Sequence, residues 1–187
     1  MSRLQDILSY NKQFIEEKKY EQYETSKLPD KKIVILSCMD TRLVELLPKA
    51  MNIGNGDVKM IKNAGAMITD SYGSIMRSIL VAVYELQAEE VFVIGHYDCG
   101  MTGLHADKLL EKAKKGNFTD EKQKSLEGSG VDLKTWLKGF DSPEENVRHS
   151  VQQIHQHPLF PTDIPVHGLI IEPNTGRLDL VIDGDRK

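Results

Sequence analysis

Short apolar runs alternate with longer amphipathic stretches along this chain, and the alternation predicts its elements. Residues 32–37 are apolar almost throughout, as expected of a strand buried on both faces. Residues 58–61, 90–94 and 166–171 predict three more strands. Ile75, Ile79, Leu80, Val83 and Leu86 recur at helical spacing, predicting a helix over 71–87 capped by Asp70 or Ser71. A shorter helix is predicted over 42–51, with Pro48 kinking or restarting it. Further helices are predicted over 131–140 and 143–155, the second with Pro143 in its first turn. Strand, helix and strand in this succession form a right-handed βαβ unit, so the fold class is α/β. Asn174-Thr175-Gly176 predicts a hairpin turn that brings residues 178–182 back as an antiparallel edge strand.

The ends and the middle read differently. Leu4, Ile7, Leu8, Phe14 and Ile15 predict an opening helix over 4–18, with Ser2 as cap and Gln5 completing a capping box. The charged segment 16–30 ends in Leu28-Pro29-Asp30 and reads as an extended linker. An amphipathic helix on a tether packs on a partner subunit or on its own domain, and periodicity leaves both open. Residues 112–130 are polar, rich in Gly, Lys and Glu, and weakly periodic. They predict a surface excursion from a single domain, residues 1–187, because too little chain follows for a second core.

Composition narrows the function. The 187 residues carry 24 basic and 28 acidic side chains, a net charge of −4, which argues against nucleic acid or an anionic membrane as partner. No apolar run approaches the 18 or so residues of a membrane span, and the N-terminus lacks the apolar core of a signal peptide, so a cytoplasmic address is expected. In a reducing compartment the two cysteines are not expected to form a structural disulfide.

Those two cysteines carry the candidate chemistry. Cys38 closes the first strand, and Cys99 follows the third, three residues after His96. Ends of adjacent parallel strands converge on one crevice, so Cys38, His96 and Cys99 can meet. Two thiolates and an imidazole suit a tetrahedral zinc ion with one position open. Their alternative role is as ordinary buried side chains. A closed structural site would need a fourth ligand. The spacing of His105, His149, His155, His157 and His167 selects none of them. Asp40, two residues past Cys38, can reach the open position, either to accept a hydrogen bond from bound water or as an alternative fourth ligand. Arg42 beside it would hold the carboxylate ionised. Asp40 or Thr41 can also serve as a helix cap. Helix N-termini near Cys38 and Cys99 would favour their thiolates. The small residues Ala64-Gly65-Ala66 predict close backbone approach. Gly54-Asn55-Gly56 precedes a strand and so is no phosphate loop.

With Cys38-Met39-Asp40-Thr41-Arg42, Asn63-Ala64-Gly65 and His96-Tyr97-Asp98-Cys99-Gly100-Met101 in this order, the chain resembles the β-class carbonic anhydrases from about residue 31 to its C-terminus. The opening helix and the closing HGLIIEPNTGRLDLV look like the family's compact archaeal and bacterial subgroup. The resemblance implies a four-stranded parallel sheet with an antiparallel C-terminal edge strand, flanked by helices. It implies one zinc ion per subunit on Cys38, His96 and Cys99, with Asp40 and Arg42 as the catalytic dyad. It also implies subunit pairing through the helical arm, residues 1–30, giving a homodimer or tetramer. Some family members close their site by placing the Asp on zinc, with bicarbonate held by a Trp and an Arg. Ile35 and Lys62 stand at those positions here, so an open site with water on the metal is expected. Tyr97 is bulkier than the residue often found between the ligands and is expected to narrow the pocket.

The implied activity is carbonate dehydration and its reverse, hydration of carbon dioxide to bicarbonate and a proton by zinc-bound hydroxide. Zinc lowers the pKa of its water from about 15.7 toward about 7. A carbonyl sulfide or carbon disulfide hydrolase on the same scaffold is the nearest rival. A non-catalytic zinc- or bicarbonate-binding protein is the rival from another class, against which the Asp40–Arg42 pair argues.

Overall fold

A computed structural model describes residues 2–186. Helix α1 (Arg3–Glu16) opens the chain with the expected capping box between Ser2 and Gln5. None of its side chains is buried. The segment that follows is not the extended linker expected: it turns over residues 17–20 and through a 3-10 turn at Glu21–Tyr23, and Asn55 and Lys59 donate side-chain hydrogen bonds to the carbonyls of Tyr23 and Lys27. Then come β1 (Ile33–Cys38), α2 (Leu43–Ala50), β2 (Val58–Asn63), α3 (Ser74–Tyr84) and β3 (Glu90–His96). After β3 lie α4 (Ala106–Lys114), α5 (Asp120–Gly128), α6 (Leu133–Leu137), α7 (Pro143–Gln156), β4 (Val166–Ile171) and β5 (Leu178–Ile182).

The five strands form one sheet in the order β2-β1-β3-β4-β5. The first four run parallel and β5 returns antiparallel, as the sequence predicts. Alternation along β1 divides the core between the faces. Val34 and Leu36 join Met76 and Ile79 of α3 and Val147, Val151 and Ile154 of α7. Ile35 joins Leu43 and Leu47 of α2, with Ile94 and Ile171 beside it. Each such aliphatic side chain, fully buried, contributes about 1.5–3 kcal/mol. α7 lies close on the sheet because Gly95 and Gly168 leave room for Val147; a Cβ on either would stand 2.9 or 2.7 Å from it.

Several local expectations change. α2 runs unbroken through Pro48. The hydrogen bond that Pro48 cannot donate would have gone to the carbonyl of Val44, an exposed residue whose carbonyl water can serve. α3 starts at Ser74, later than predicted, because Asp70 spends its side chain on the amide of Tyr72 and its carbonyl on the amide of Gly73. The weakly periodic stretch 112–130 contains α5, capped by Thr119 and without a buried residue. Its polarity hid it, since a helix exposed all round shows no apolar stripe. α6 covers only the middle of its predicted span.

Candidate metal centre

The sheet brings three candidate ligands to one place. Cys38 is the last residue of β1, paired with Asn63 of β2. His96 is the last residue of β3, paired with Ile171 of β4. Cys99 follows His96 on a turn in which Asp98 adopts a left-handed φ of 52°. All three side chains are buried, and their ligand atoms lie within 4.8 Å of one another. The two sulfurs stand 4.0 Å apart. Two sulfurs each about 2.3 Å from a tetrahedral zinc would be about 3.8 Å apart.

His96 supplies the sharper test of fit. Its Nδ1–H donates to the carbonyl of Tyr97 at 2.8 Å, because a carbonyl can only accept. In the neutral ring that leaves a lone pair on Nε2, which is buried and has no hydrogen-bond partner. A buried acceptor left orphaned is costly. Beside two thiols it is the donor arrangement of a metal site, and these residues fit zinc.

The thiols are poised unequally. A hydrogen bond from Cys99 favours the Cys38 thiolate and lowers its pKa, with further help from His96 and from the amide of Gly65, which donates to Sγ at 3.4 Å. The Cys99 thiol is pushed up, chiefly by that same pairing. No helix begins at either cysteine: α2 starts at Leu43 and α4 at Ala106. Loop amides take the place of the expected helix N-termini: those of Gly65 and Asp40 favour the Cys38 thiolate, and that of Met101 favours the Cys99 thiolate. Gly65 itself has φ 84°, and a Cβ there would meet Phe140 at 2.9 Å and Met101 at 3.1 Å. The close approach read from Ala64-Gly65-Ala66 is thus a requirement at Gly65.

Asp40 and Arg42 stand at the mouth. Arg42 donates from Nε to Oδ1 at 3.0 Å and from Nη2 to Oδ2 at 2.9 Å. The amide of Arg42 also donates to Oδ1, at 2.9 Å, so the local turn and the fork aim the same carboxylate. These bonds hold the Asp40 pKa down to about 2. Oδ2 lies 3.8 Å from the orphaned Nε2 of His96. The far side of the guanidinium reaches the loop between the ligands, where Nη1 donates to Asp98 Oδ2 at 2.9 Å and Nη2 to the Asp98 carbonyl at 3.0 Å. Asp98 escapes sequence reasoning, although an Asp in a tight turn between two ligands is its visible sign.

The cleft here, about 300 Å³, is lined by Cys38, Met39, Asp40, Thr41, Ala64, Gly65, Cys99, Gly100 and Met101. Tyr97 does not narrow it. Its hydroxyl donates to Asp179 on β5, which draws the ring away from the cleft. Lys62 is likewise tied back, donating to Ser37 Oγ at 3.2 Å and the Cys38 carbonyl at 3.4 Å. Among the described residues no other histidine joins the Cys38–His96–Cys99 group. His167 gathers with Asp183 and Asp185, but its Nδ1 accepts from the amide of Gly184, and Asp183 pairs with Arg186.

The family model described as carbonic anhydrase matches residues 33–178, a span that includes Cys38, Asp40, Arg42, His96 and Cys99. The chain belongs to the β-carbonic anhydrase family. A Bacillus subtilis relative named "Putative carbonic anhydrase YtiB" is 60% identical over 98% of both chains. The solved structure of the Trichomonas vaginalis β-carbonic anhydrase isoform I superposes with a TM-score of 0.89 at 37% identity, covering 98% of this chain and 100% of that one. A carbon disulfide hydrolase of Acidithiobacillus thiooxidans is 28% identical, over 80% of this chain and 76% of its own.

Proposed function

We propose that this protein is a zinc-dependent carbonic anhydrase interconverting carbon dioxide and bicarbonate. Cys38, His96 and Cys99 would hold the zinc, with Asp40 and Arg42 as the catalytic dyad. Bound there, zinc lowers the pKa of a water from about 15.7 toward about 7 and so provides a nucleophile near neutral pH. Asp40, ionised at every physiological pH, is an acceptor only. Its Oδ2 accepts a hydrogen bond from the attacking water and turns a lone pair toward the substrate. Arg42 keeps that oxygen aimed. Carbon dioxide, apolar and linear, rests against Met39, Ala64, Gly65 and Met101.

The observation that supports this reading most is the Arg42-held oxygen of Asp40 at 3.8 Å from the unpartnered Nε2 of His96. Metal storage needs no such oriented acceptor. Both oxygens of Asp40 face Arg42, which favours its role as acceptor over that of fourth ligand.

A second reading, hydrolysis of carbon disulfide or carbonyl sulfide, draws support from the Acidithiobacillus relative. Stopped-flow carbon dioxide hydration run beside a sulfide-release assay separates the two. Hydration without sulfide release supports the anhydrase, and the reverse supports the hydrolase.

The exposed Leu4, Ile7 and Leu8 of α1 support a second copy of the chain as the partner of the arm, residues 1–30, on one domain spanning 1–187. No helix among the described residues is long and apolar enough to cross a membrane. A cytoplasmic homodimer or tetramer is the corresponding proposal.

A further inference from the structure

We infer that Asp98 is a positioning residue that fixes the Asp40–Arg42 pair relative to the metal ligands, an inference resting on the proposed anhydrase reaction. Asp40 and Arg42 sit two residues apart on one segment. The fork and the Arg42 amide fix the pair within its own segment, but neither ties that segment to the turn that carries His96 and Cys99. The direction of Oδ2 toward His96 requires a hold on the pair from the other side of the crevice. Asp98, between His96 and Cys99, supplies that hold.

Its carboxylate accepts from Nη1 at 2.9 Å and its carbonyl from Nη2 at 3.0 Å. With Nε and Nη2 on Asp40, all three nitrogens of the guanidinium are engaged, spanning the segment after β1 and the turn after β3. A planar fork gripped on both edges loses rotation about its Nε–Cζ bond, which a single-point lysine contact would not impose. The Asp98 side chain is 85% exposed, so the ion pair adds little to stability. What it adds is direction. The φ of 52° at Asp98 has its own explanation, since Asp, Asn and Gly tolerate that conformation better than other residues. The two roles come apart on substitution: Asp98→Asn keeps the turn and an acceptor oxygen, whereas Asp98→Gly keeps the turn and loses the side-chain acceptor.

The test uses the full-length zinc-loaded protein, labelled with ¹⁵N, with both variants beside wild type. Misplacing a catalytic group by a fraction of an ångström is expected to slow turnover by about tenfold. Asp98→Gly is therefore expected to lose about tenfold in kcat, with KM for carbon dioxide, zinc content and Tm unchanged. Its separate Arg42 Nη1 and Nη2 resonances should average into one. Asp98→Asn is expected to keep the separate resonances and to recover kcat to within about threefold of wild type, because the acceptor is restored. The inference is overturned if Asp98→Gly turns over like wild type, if it loses zinc or fold, or if Asp98→Asn falls as far as Asp98→Gly. A wild-type protein without hydration activity would remove the underlying reading of the site. The resonances would still accept or reject the grip of Asp98 on Arg42.

Discussion

Arg42 grips both carboxylate oxygens of Asp40, with Nε on Oδ1 at 3.0 Å and Nη2 on Oδ2 at 2.9 Å. The Arg42 hydrogen bonds lower the Asp40 pKa to about 2. Because the folded value is lowered, the pairing is fully present above the ordinary carboxylate range and is lost as pH falls through about 2. Asp40 therefore does not titrate where the enzyme would work. Asp40→Asn should retain stoichiometric zinc while kcat/KM for carbon dioxide drops by about 10²-fold or more. Zinc analysis and stopped-flow kinetics on one preparation check both halves. Unchanged turnover would reduce Asp40 to a turn residue.

The proposed ligands predict how metal binding follows pH. Burial opposes the charged form of His96, but the Cys38 thiolate and the Tyr97 carbonyl outweigh it and the pKa is raised. Cys99 is raised by its pairing with Cys38. Zinc must displace the protons on both groups, so its affinity should rise steeply with pH through the neutral range, by about one to two log units per pH unit. Competition against a chromogenic chelator from pH 6 to 8 measures the slope. A flat profile would contradict this ligand set.

Gly65 joins backbone geometry to the metal centre. Gly65→Ala would hold a side chain at φ 84° against Phe140 and Met101, at 2.9 and 3.1 Å. A loss of about 1–3 kcal/mol is expected, along with weaker zinc retention as the amide shifts from Cys38 Sγ. Urea denaturation and dialysis against chelator read the two effects. A variant as stable and as metal-retentive as wild type would contradict the close approach.

The sheet was legible because its strands are short apolar runs ended by Gly, Pro or reactive residues, as at Ser37-Cys38 and Gly95-His96. The Cys38–His96–Cys99 cluster was legible because parallel strand ends converge, so Cys38 and His96 needed no contact information to be placed together. The rest depends on tertiary contact. Tyr97 was expected in the pocket, yet Asp179, 82 residues away, draws its hydroxyl elsewhere. The sequence points to helix ends as support for the Cys38 thiolate, whereas the structure supplies Cys99, His96 and the amides of Gly65 and Asp40, and the Gly65 contact emerges only from the packing of β2 beside β1. Helix α5 carries no apolar stripe, so periodicity passed over it.

Helix α1 leaves Leu4, Ile7 and Leu8 about 60% exposed, and a second copy is the proposed cover. Ile7→Glu together with Leu8→Glu should dissociate the oligomer, since burying charge in an apolar contact is strongly unfavourable. Sedimentation equilibrium of both proteins is the check. A monomeric wild type, or an unshifted variant, would contradict this role for the arm.

The most direct test of the central claim joins metal analysis to stopped-flow carbon dioxide hydration for wild type and Cys99→Ser. Wild type should carry one zinc per chain and hydrate carbon dioxide, and Cys99→Ser should lose both together. Hydration that survives in zinc-free protein, or a zinc-loaded wild type without hydration, would contradict the account.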